Sequence, residues 1–355
     1  MSDLKVLYSI REEHKAREVR ARKARRARRR HRIRRVVAVL VLAVVAVFLL
    51  SLVRTGATTR HGHTAGLSLS LRLRARQAVD KPKPPLYGTL PDAVQVKPKL
   101  KLGLKAGLLF DVRTGKVLWE HDPSRRLPIA SLTKMMTALV VVTHSNPHAH
   151  VLITKQATDF SGSGVGLLPL GKRVPEISLL YGLLLPSGND AAVALAQHVA
   201  GTQDRFISLM NATARRMGLR CTHYATVSGI VDKDNYSCPE NLAVLAHAVL
   251  TQPLLHRIVG SPSAILRFPI KGGKLYLYNN NPLLMTGYPG ADGVKTGFTT
   301  AAGLCLVATA RQNGQWLGVV LLHSGNWLTQ AETVLNAGFA ALKRADSRRA
   351  DPAQP

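Results

Sequence analysis

The chain has 355 residues, 49 Lys and Arg against 20 Asp and Glu, and a formal net charge of +29. With 46% hydrophobic residues it can bury a core, which excludes a wholly disordered chain, and its length allows one large domain or two small ones. Three cysteines exclude a disulfide-dense mini-scaffold and leave no ligand set for a Cys-rich structural zinc site.

Charge and hydropathy divide the chain in order. Residues 1–35 form a basic tail, with 15 Lys and Arg against Asp3, Glu12, Glu13 and Glu18. Residues 36–53 carry no charge. As a helix those eighteen residues would rise about 27 Å, close to the hydrocarbon thickness of a bilayer. They read as a transmembrane signal-anchor. Arg34, Arg35 and the cluster from Arg20 to Arg32 precede it, and only Arg54 and Arg60 follow closely. The positive-inside rule therefore places the N-terminus in the cytoplasm and everything after Val53 outside, in a single pass through the cell membrane. The exit from Arg54 to Arg60 lacks a small-residue cleavage pattern, so the anchor reads as uncleaved. Basic charge also raises the question of nucleic acid. The run from Glu12 to Arg35 has no Phe, Trp or Tyr to stack on bases and no recognisable nucleic-acid motif. It reads as an orientation signal against anionic headgroups, and no nucleic-acid partner is expected.

Residues 54–99 read as a basic, proline-containing linker outside the membrane. Leu67 to Arg76 alternates apolar and polar residues and could pair as a short strand. Lys81 to Asp92 holds prolines that favour extended backbone.

Residues 100–345 are predicted to form one catalytic domain, and 346–355 a disordered tail. Ala106 to Val112 and Val117 to Glu120 read as a β-hairpin around Arg113-Thr114-Gly115-Lys116. A long apolar helix begins near Ser131. Leu179 to Leu185 and Asp190 to Val199 read as helices broken by Pro186-Ser187-Gly188. Helical patterns recur at Gln203 to Met217, Pro239 to Leu250 and Gln330 to Leu342. Lys274 to Tyr278, Gly303 to Ala310 and Trp316 to His323 read as strands. Strands thus bracket a helical middle, the pattern of an α+β domain with an antiparallel sheet.

Three short motifs carry chemistry. Ser131-Leu132-Thr133-Lys134 sits where an apolar helix begins, and a spacing of three puts both side chains on one helix face. A serine hydroxyl needs a base to become a nucleophile, and a lysine whose pKa is depressed can serve. Ser187-Gly188-Asn189 lies in the inter-helix loop. Lys295-Thr296-Gly297 follows Asp292-Gly293-Val294 and is expected just ahead of a strand, and a cation and a hydroxyl at an edge strand can hold a carboxylate. Singly the first two are weak, since Ser2-Asp3-Leu4-Lys5 and Ser324-Gly325-Asn326 match them as well.

Order and context make the set specific. With Thr114-Gly115-Lys116-Val117-Leu118, the run from Ala130 to Leu139, Tyr181 to Ala192, and Asp292 to Gly297, the chain resembles the serine-type D-alanyl-D-alanine carboxypeptidases, the low-molecular-mass penicillin-binding proteins. The resemblance runs from about Gly107 to Phe339. It implies a DD-peptidase/β-lactamase-like α+β fold, with an antiparallel sheet packed with helices plus a helical subdomain. It implies Ser131 as nucleophile, Lys134 as its base, Ser187 as proton relay and Asn189 as orienter of Lys134 and the substrate amide. Lys295 and Thr296 would hold the terminal carboxylate, beside Gly297. The N–H groups of Ser131 and Phe298 would form the oxyanion hole. The partners so implied are the peptidoglycan stem peptide and β-lactam antibiotics.

Two departures stand out. Many relatives carry an arginine after the strand placed at Trp316 to His323, and Ser324 to Gln330 has none. Relatives often add a C-terminal β-rich domain and a membrane-binding tail, whereas here the sequence stops soon after the last predicted helix. A D,D-endopeptidase uses the same motifs and stays open as an alternative. A β-lactamase would need a positioned glutamate, and Glu240-Asn241-Leu242 lacks the expected spacing. A non-catalytic wall-binding protein would not need every motif residue intact. Outside the membrane a disulfide between Cys221 and Cys238 is permitted and expected. Cys305, in an apolar strand, reads as a buried thiol. His61, His63, His144, His148 and His150 lie in polar segments without a metal-ligand pattern, so neither metal nor cofactor is expected.

Overall fold

The computed structural model describes residues 102–350 apart from 161 and 167, with the side chains of 348–350 left aside. The basic tail 1–35, the apolar segment 36–53, the linker 54–99 and residues 351–355 lie outside the described residues. Among those described, no single helix is long and apolar enough to cross a membrane.

The first hairpin forms as expected, from β1 (Ala106–Asp111) and β2 (Val117–His121). The Asp111 carboxylate accepts from the backbone N–H groups of Arg113 and Thr114 at 2.9 and 2.8 Å, which closes the turn. A two-residue strand β3 (Leu127–Pro128) leads into a 3₁₀ turn at Ala130–Leu132 and then α1 (Thr133–His144). Ser131 therefore stands in the 3₁₀ turn, one residue before the α-helix proper. Next come β4 (His150–Leu152), the short α2 (Lys155–Thr158), and β5 (Arg173–Pro175), which pairs with β4. Helices α3 (Glu176–Leu184), α4 (Asn189–Ala200) and α5 (Gln203–Arg216) follow. Strand β6 (Tyr236–Ser237) pairs with β3. Helices α6 (Pro239–Leu250) and α7 (Pro253–Val259) each start on a proline, whose missing N–H is harmless at that position. A second hairpin joins β7 (Ser263–Arg267) to β8 (Lys274–Tyr278), and α8 (Pro282–Thr286) precedes β9 (Ala291–Thr299). The chain closes with β10 (Gly303–Gln312), β11 (Gln315–Ser324) and α9 (Trp327–Ala350).

The main sheet is antiparallel, in the order β2-β1-β11-β10-β9. Its central strands are apolar on both faces, and the alternation sorts them. Leu306, Ala308, Leu317, Val319 and Leu321 face α9, where Ala331, Val334 and Leu335 cover them. Leu108, Phe110, Cys305, Val307 and Val320 face the other way, into the larger core built with α1, α3, α4 and α6. The α+β class with a helical subdomain is thus observed. It leaves β9 on the sheet edge, packed against the 3₁₀ turn.

Three expectations need correction. Lys295-Thr296-Gly297 lies inside β9, not ahead of it. The final helix starts earlier, because Asn326 Oδ1 accepts from Thr329 N at 3.2 Å as an N-cap. It also runs on through residues 346–350, placed in a disordered tail by hydropathy. Apolar periodicity stops at Leu342, but Lys343 to Ala350 is rich in helix formers without Gly or Pro. The two- and three-residue strands β3, β4, β5 and β6 and the short helices α2, α7 and α8 gave too few residues for a periodic signal.

Candidate active site

Helix α1 supplies Lys134, and the turn before it supplies Ser131. Lys134 is fully buried. Its Nζ lies 2.8 Å from Ser131 Oγ, 2.8 Å from Asn189 Oδ1 and 2.7 Å from the Ser228 carbonyl. The last two groups only accept. A neutral amine gives them its two hydrogens and turns its lone pair to Ser131, the one partner with a proton to donate. Burial holds the Lys134 ammonium well below the ordinary lysine range, nearby Lys295 adds to the shift, and Asp190 opposes it. The arrangement can therefore deprotonate a serine hydroxyl at a pH well below the ordinary lysine range.

Two backbone contacts fix the turn that bears Ser131. Ala130 has a positive φ of 47°. Gly229 packs so closely that an added Cβ would lie 1.9 Å from Ala130 O, and its φ of 77° suits glycine. On the other side Gly297 of β9 leaves room for a Cβ only 2.9 Å from Ile129 O and from Ser131 N. The strand bearing Phe298 thus runs directly against the turn bearing Ser131.

The loop before α6 presents the Ser228 carbonyl. Thr137 Oγ1 of α1 donates to Val227 O at 2.7 Å, Asn235 Nδ2 donates to Thr133 Oγ1 at 2.9 Å, and Gly229 N donates to Thr226 Oγ1 at 2.8 Å. The expected disulfide is present nearby, joining Cys221 to Cys238 with Cα atoms 5.9 Å apart. Cys305 is the free, buried thiol, and burial pushes its pKa up to about 12.

Ser187 stands between α3 and α4 with a positive φ of 67°. It is buried, and its Oγ makes no hydrogen bond among the described residues. An oriented hydroxyl with free capacity can pass a proton to a bound molecule. Asn189 begins α4, and Asp190 beside it accepts from Val165 N, Gly166 N and Ala191 N at 2.9, 3.1 and 2.8 Å. Burial raises the Asp190 pKa and these amide bonds oppose the rise. Asp190 so ties the 163–166 segment over the start of α4.

On β9, Lys295 and Thr296 are buried and Phe298 is 63% exposed. Lys295 Nζ donates to Thr296 O at 3.0 Å, and burial lowers its pKa to about 7. Asp292 anchors the start of this strand through Thr309 Oγ1 at 2.5 Å and Arg311 Nε at 3.0 Å. Thr299 Oγ1 anchors its end on Asp232 Oδ1 at 2.7 Å.

Ser131, Lys134 and Asn189 thus meet directly, and Gly297 carries β9 with Lys295, Thr296 and Phe298 against the same turn. Sequence reasoning missed Ser228, Asp190 and Thr137. Ser324-Gly325-Asn326, the second S-x-N match, is a strand end and a helix cap. Burial, and then the nearby Glu120 carboxylate, raise the pKa of Glu240, the glutamate a β-lactamase reading would need, and its N–H donates to Pro123 O. Among the described residues no group of three or more His, Cys, Asp and Glu could hold a metal ion.

The sequence profile of a family described as D-alanyl-D-alanine carboxypeptidase matches residues 93–326. The chain is 33% identical over 213 residues to the D-alanyl-D-alanine carboxypeptidase DacF of Bacillus subtilis, covering 59% of this chain and 54% of that one. It therefore spans about half the length of that relative. It is 34% identical over 241 residues to DacB2 of Mycobacterium tuberculosis, covering 66% and 81%. Among solved structures, the Streptomyces K15 DD-transpeptidase superposes with a TM-score of 0.65 at 32% identity, over 68% of this chain and 99% of that one. A D-alanyl-D-alanine carboxypeptidase from Mycobacterium tuberculosis gives 0.64 at 32%, over 70% and 96%.

Proposed function

The chain belongs to the D-alanyl-D-alanine carboxypeptidase family, and from that premise we propose that it is a penicillin-binding serine D,D-carboxypeptidase. It removes the terminal D-alanine from peptidoglycan stem pentapeptides. The observation that carries this reading is the Lys134 Nζ to Ser131 Oγ contact of 2.8 Å, made by a lysine whose other two partners are acceptors.

Ser131 Oγ attacks the carbonyl carbon between the two D-alanines as Lys134 takes the hydroxyl proton. General-base help of this kind is worth about 10²–10⁴-fold in rate. The oxyanion forms against the N–H groups of Ser131 and Phe298. The C–N bond breaks, and Ser187 passes the proton from Lys134 to the leaving amine. Water then attacks the acyl-enzyme, Lys134 takes its proton and returns it to Ser131, and the shortened stem leaves as a carboxylate. The substrate lies along the open edge of β9, where an extended peptide adds as a strand. Its C-terminal carboxylate meets Lys295 and Thr296, which act without help from an arginine in Ser324–Gln330. A β-lactam acylates the same serine.

Residues 36–53 anchor the protein in the bacterial cell membrane, with the tail in the cytoplasm and the catalytic domain outside. The uncharged run between Arg35 and Arg54 and its one-sided basic flank support that placement.

The test supplies the full-length chain with a stem pentapeptide and, separately, a cross-linked dimer. Release of free D-alanine from the pentapeptide is expected. Cleavage of the dimer alone would make the enzyme an endopeptidase, and turnover of neither would refute the proposal.

A further inference from the structure

Away from Ser131 the surface holds an open depression of about 470 Å³ with basic walls. His150 of β4 and Arg173 of β5 line it together with Arg267 of β7 and Lys274 of β8. No Asp or Glu lines it. Arg173 gives one N–H to His150 O at 3.2 Å. Among the described residues none of the three cations forms an ion pair with a carboxylate. Arg267 and Lys274 stand directly opposite each other in the β7–β8 register. Like charges so placed repel and destabilise a hairpin, and an anion between them would remove that cost.

The same hairpin face continues as Ile265 opposite Tyr276 and Ser263 opposite Tyr278. Ile265, Tyr276 and Tyr278 are 64, 56 and 69% exposed, while the alternate residues Leu275 and Leu277 are buried. Large apolar side chains exposed singly need no explanation, but a contiguous strip marks a binding surface. Here flat amphipathic rings adjoin unpaired cations, and that pairing selects the occupant. The rings offer flat faces on which a sugar ring can stack, and the cations are complementary in charge to acidic groups carried on the same chain.

We propose that this cleft and strip bind an anionic glycan polymer of the cell wall. Sugar rings lie on Tyr276 and Tyr278, and carboxylate or phosphate groups enter between Arg173, Arg267 and Lys274. The inference rests on the carboxypeptidase reading and deepens it. The stem peptides share the wall with such a polymer, so a second contact raises their effective concentration at Ser131.

The full-length chain in detergent is titrated with purified sacculi, with or without their phosphate-bearing polymers, and with micelles carrying phosphatidylglycerol. Acylation of Ser131 by fluorescent penicillin is read in parallel. R267E/K274E is expected to bind sacculi at least tenfold more weakly, and Y276A/Y278A several-fold more weakly, with acylation within twofold of wild type. R267Q/K274Q is expected to fall between. A loss seen only on sacculi that retain phosphate polymers identifies phosphate as the anion, and a loss on both kinds identifies carboxylate. Unchanged sacculus binding in R267E/K274E, or a loss confined to the phosphatidylglycerol micelles, would overturn the proposal. Failure of wild type to acylate would instead count against the proposed reaction.

Discussion

Gly297→Ala tests the contact that sets the site's geometry. The new Cβ would lie 2.9 Å from Ile129 O, 2.9 Å from Ser131 N and 3.2 Å from Ala130 Cβ. These are backbone atoms or a Cβ, so no flexible side chain can swing aside. Carbon atoms pair best at about 3.5–4.0 Å, so relief requires β9 and the nucleophile's turn to part by about 0.6 Å. Overpacking of this kind costs about 1–3 kcal/mol. A misplacement of 1 Å can cost about 10² in rate, so about 0.6 Å predicts a loss of roughly tenfold or somewhat more. The assay is the second-order rate of acylation by fluorescent penicillin, with thermal unfolding measured on the same samples. Gly103→Ala is the control, because its Cβ would meet only Gln330 Nε2, at 3.7 Å. Wild-type acylation in folded G297A would show that the approach of β9 to Ser131 does not set the reacting geometry.

Other outcomes follow from the same structure. Lys134 must be neutral to take the Ser131 proton, so acylation should rise with pH through its lowered pKa and level off well below 10.5; a profile still climbing at that pH would contradict its role. On the alkaline side Lys295 loses its charge near a pKa of about 7, so KM for a substrate with a free carboxylate should climb above that pH while an amidated analogue stays flat. Thr137→Val leaves the buried Val227 carbonyl without its 2.7 Å partner and should cost about 1–3 kcal/mol in denaturant unfolding. Replacing Cys221 and Cys238 together by serine opens a loop with a sequence separation of 17 and should cost about 2–4 kcal/mol, read as a lower unfolding midpoint in the same titration.

The side chains proposed to carry the reaction were legible, and the backbone that positions them was not. Ser131, Lys134, Ser187, Asn189, Lys295 and Thr296 each sit in a short motif, because their chemistry demands particular residue types at fixed spacing. The Ser228 carbonyl carries no such demand. Any residue supplies a carbonyl, and only the fold brings this one within 2.7 Å of Lys134. The influence of Lys295 on Lys134 is equally invisible, since 161 positions separate them along the chain. Hydropathy found the sheet's central strands and the long helices, whose apolar runs are sustained. It stopped short on α9, where polar helix formers extend the helix past the core. It could not decide between the two S-x-N matches. Context did, since one opens a helix beneath Ser131 and the other caps α9.

The most direct measurement is mass spectrometry of the full-length chain after reaction with penicillin, beside Ser131→Ala. The account predicts one covalent adduct, carried on the peptide that contains Ser131 and absent from the variant. No adduct on wild type, or an adduct that persists in Ser131→Ala, would contradict it.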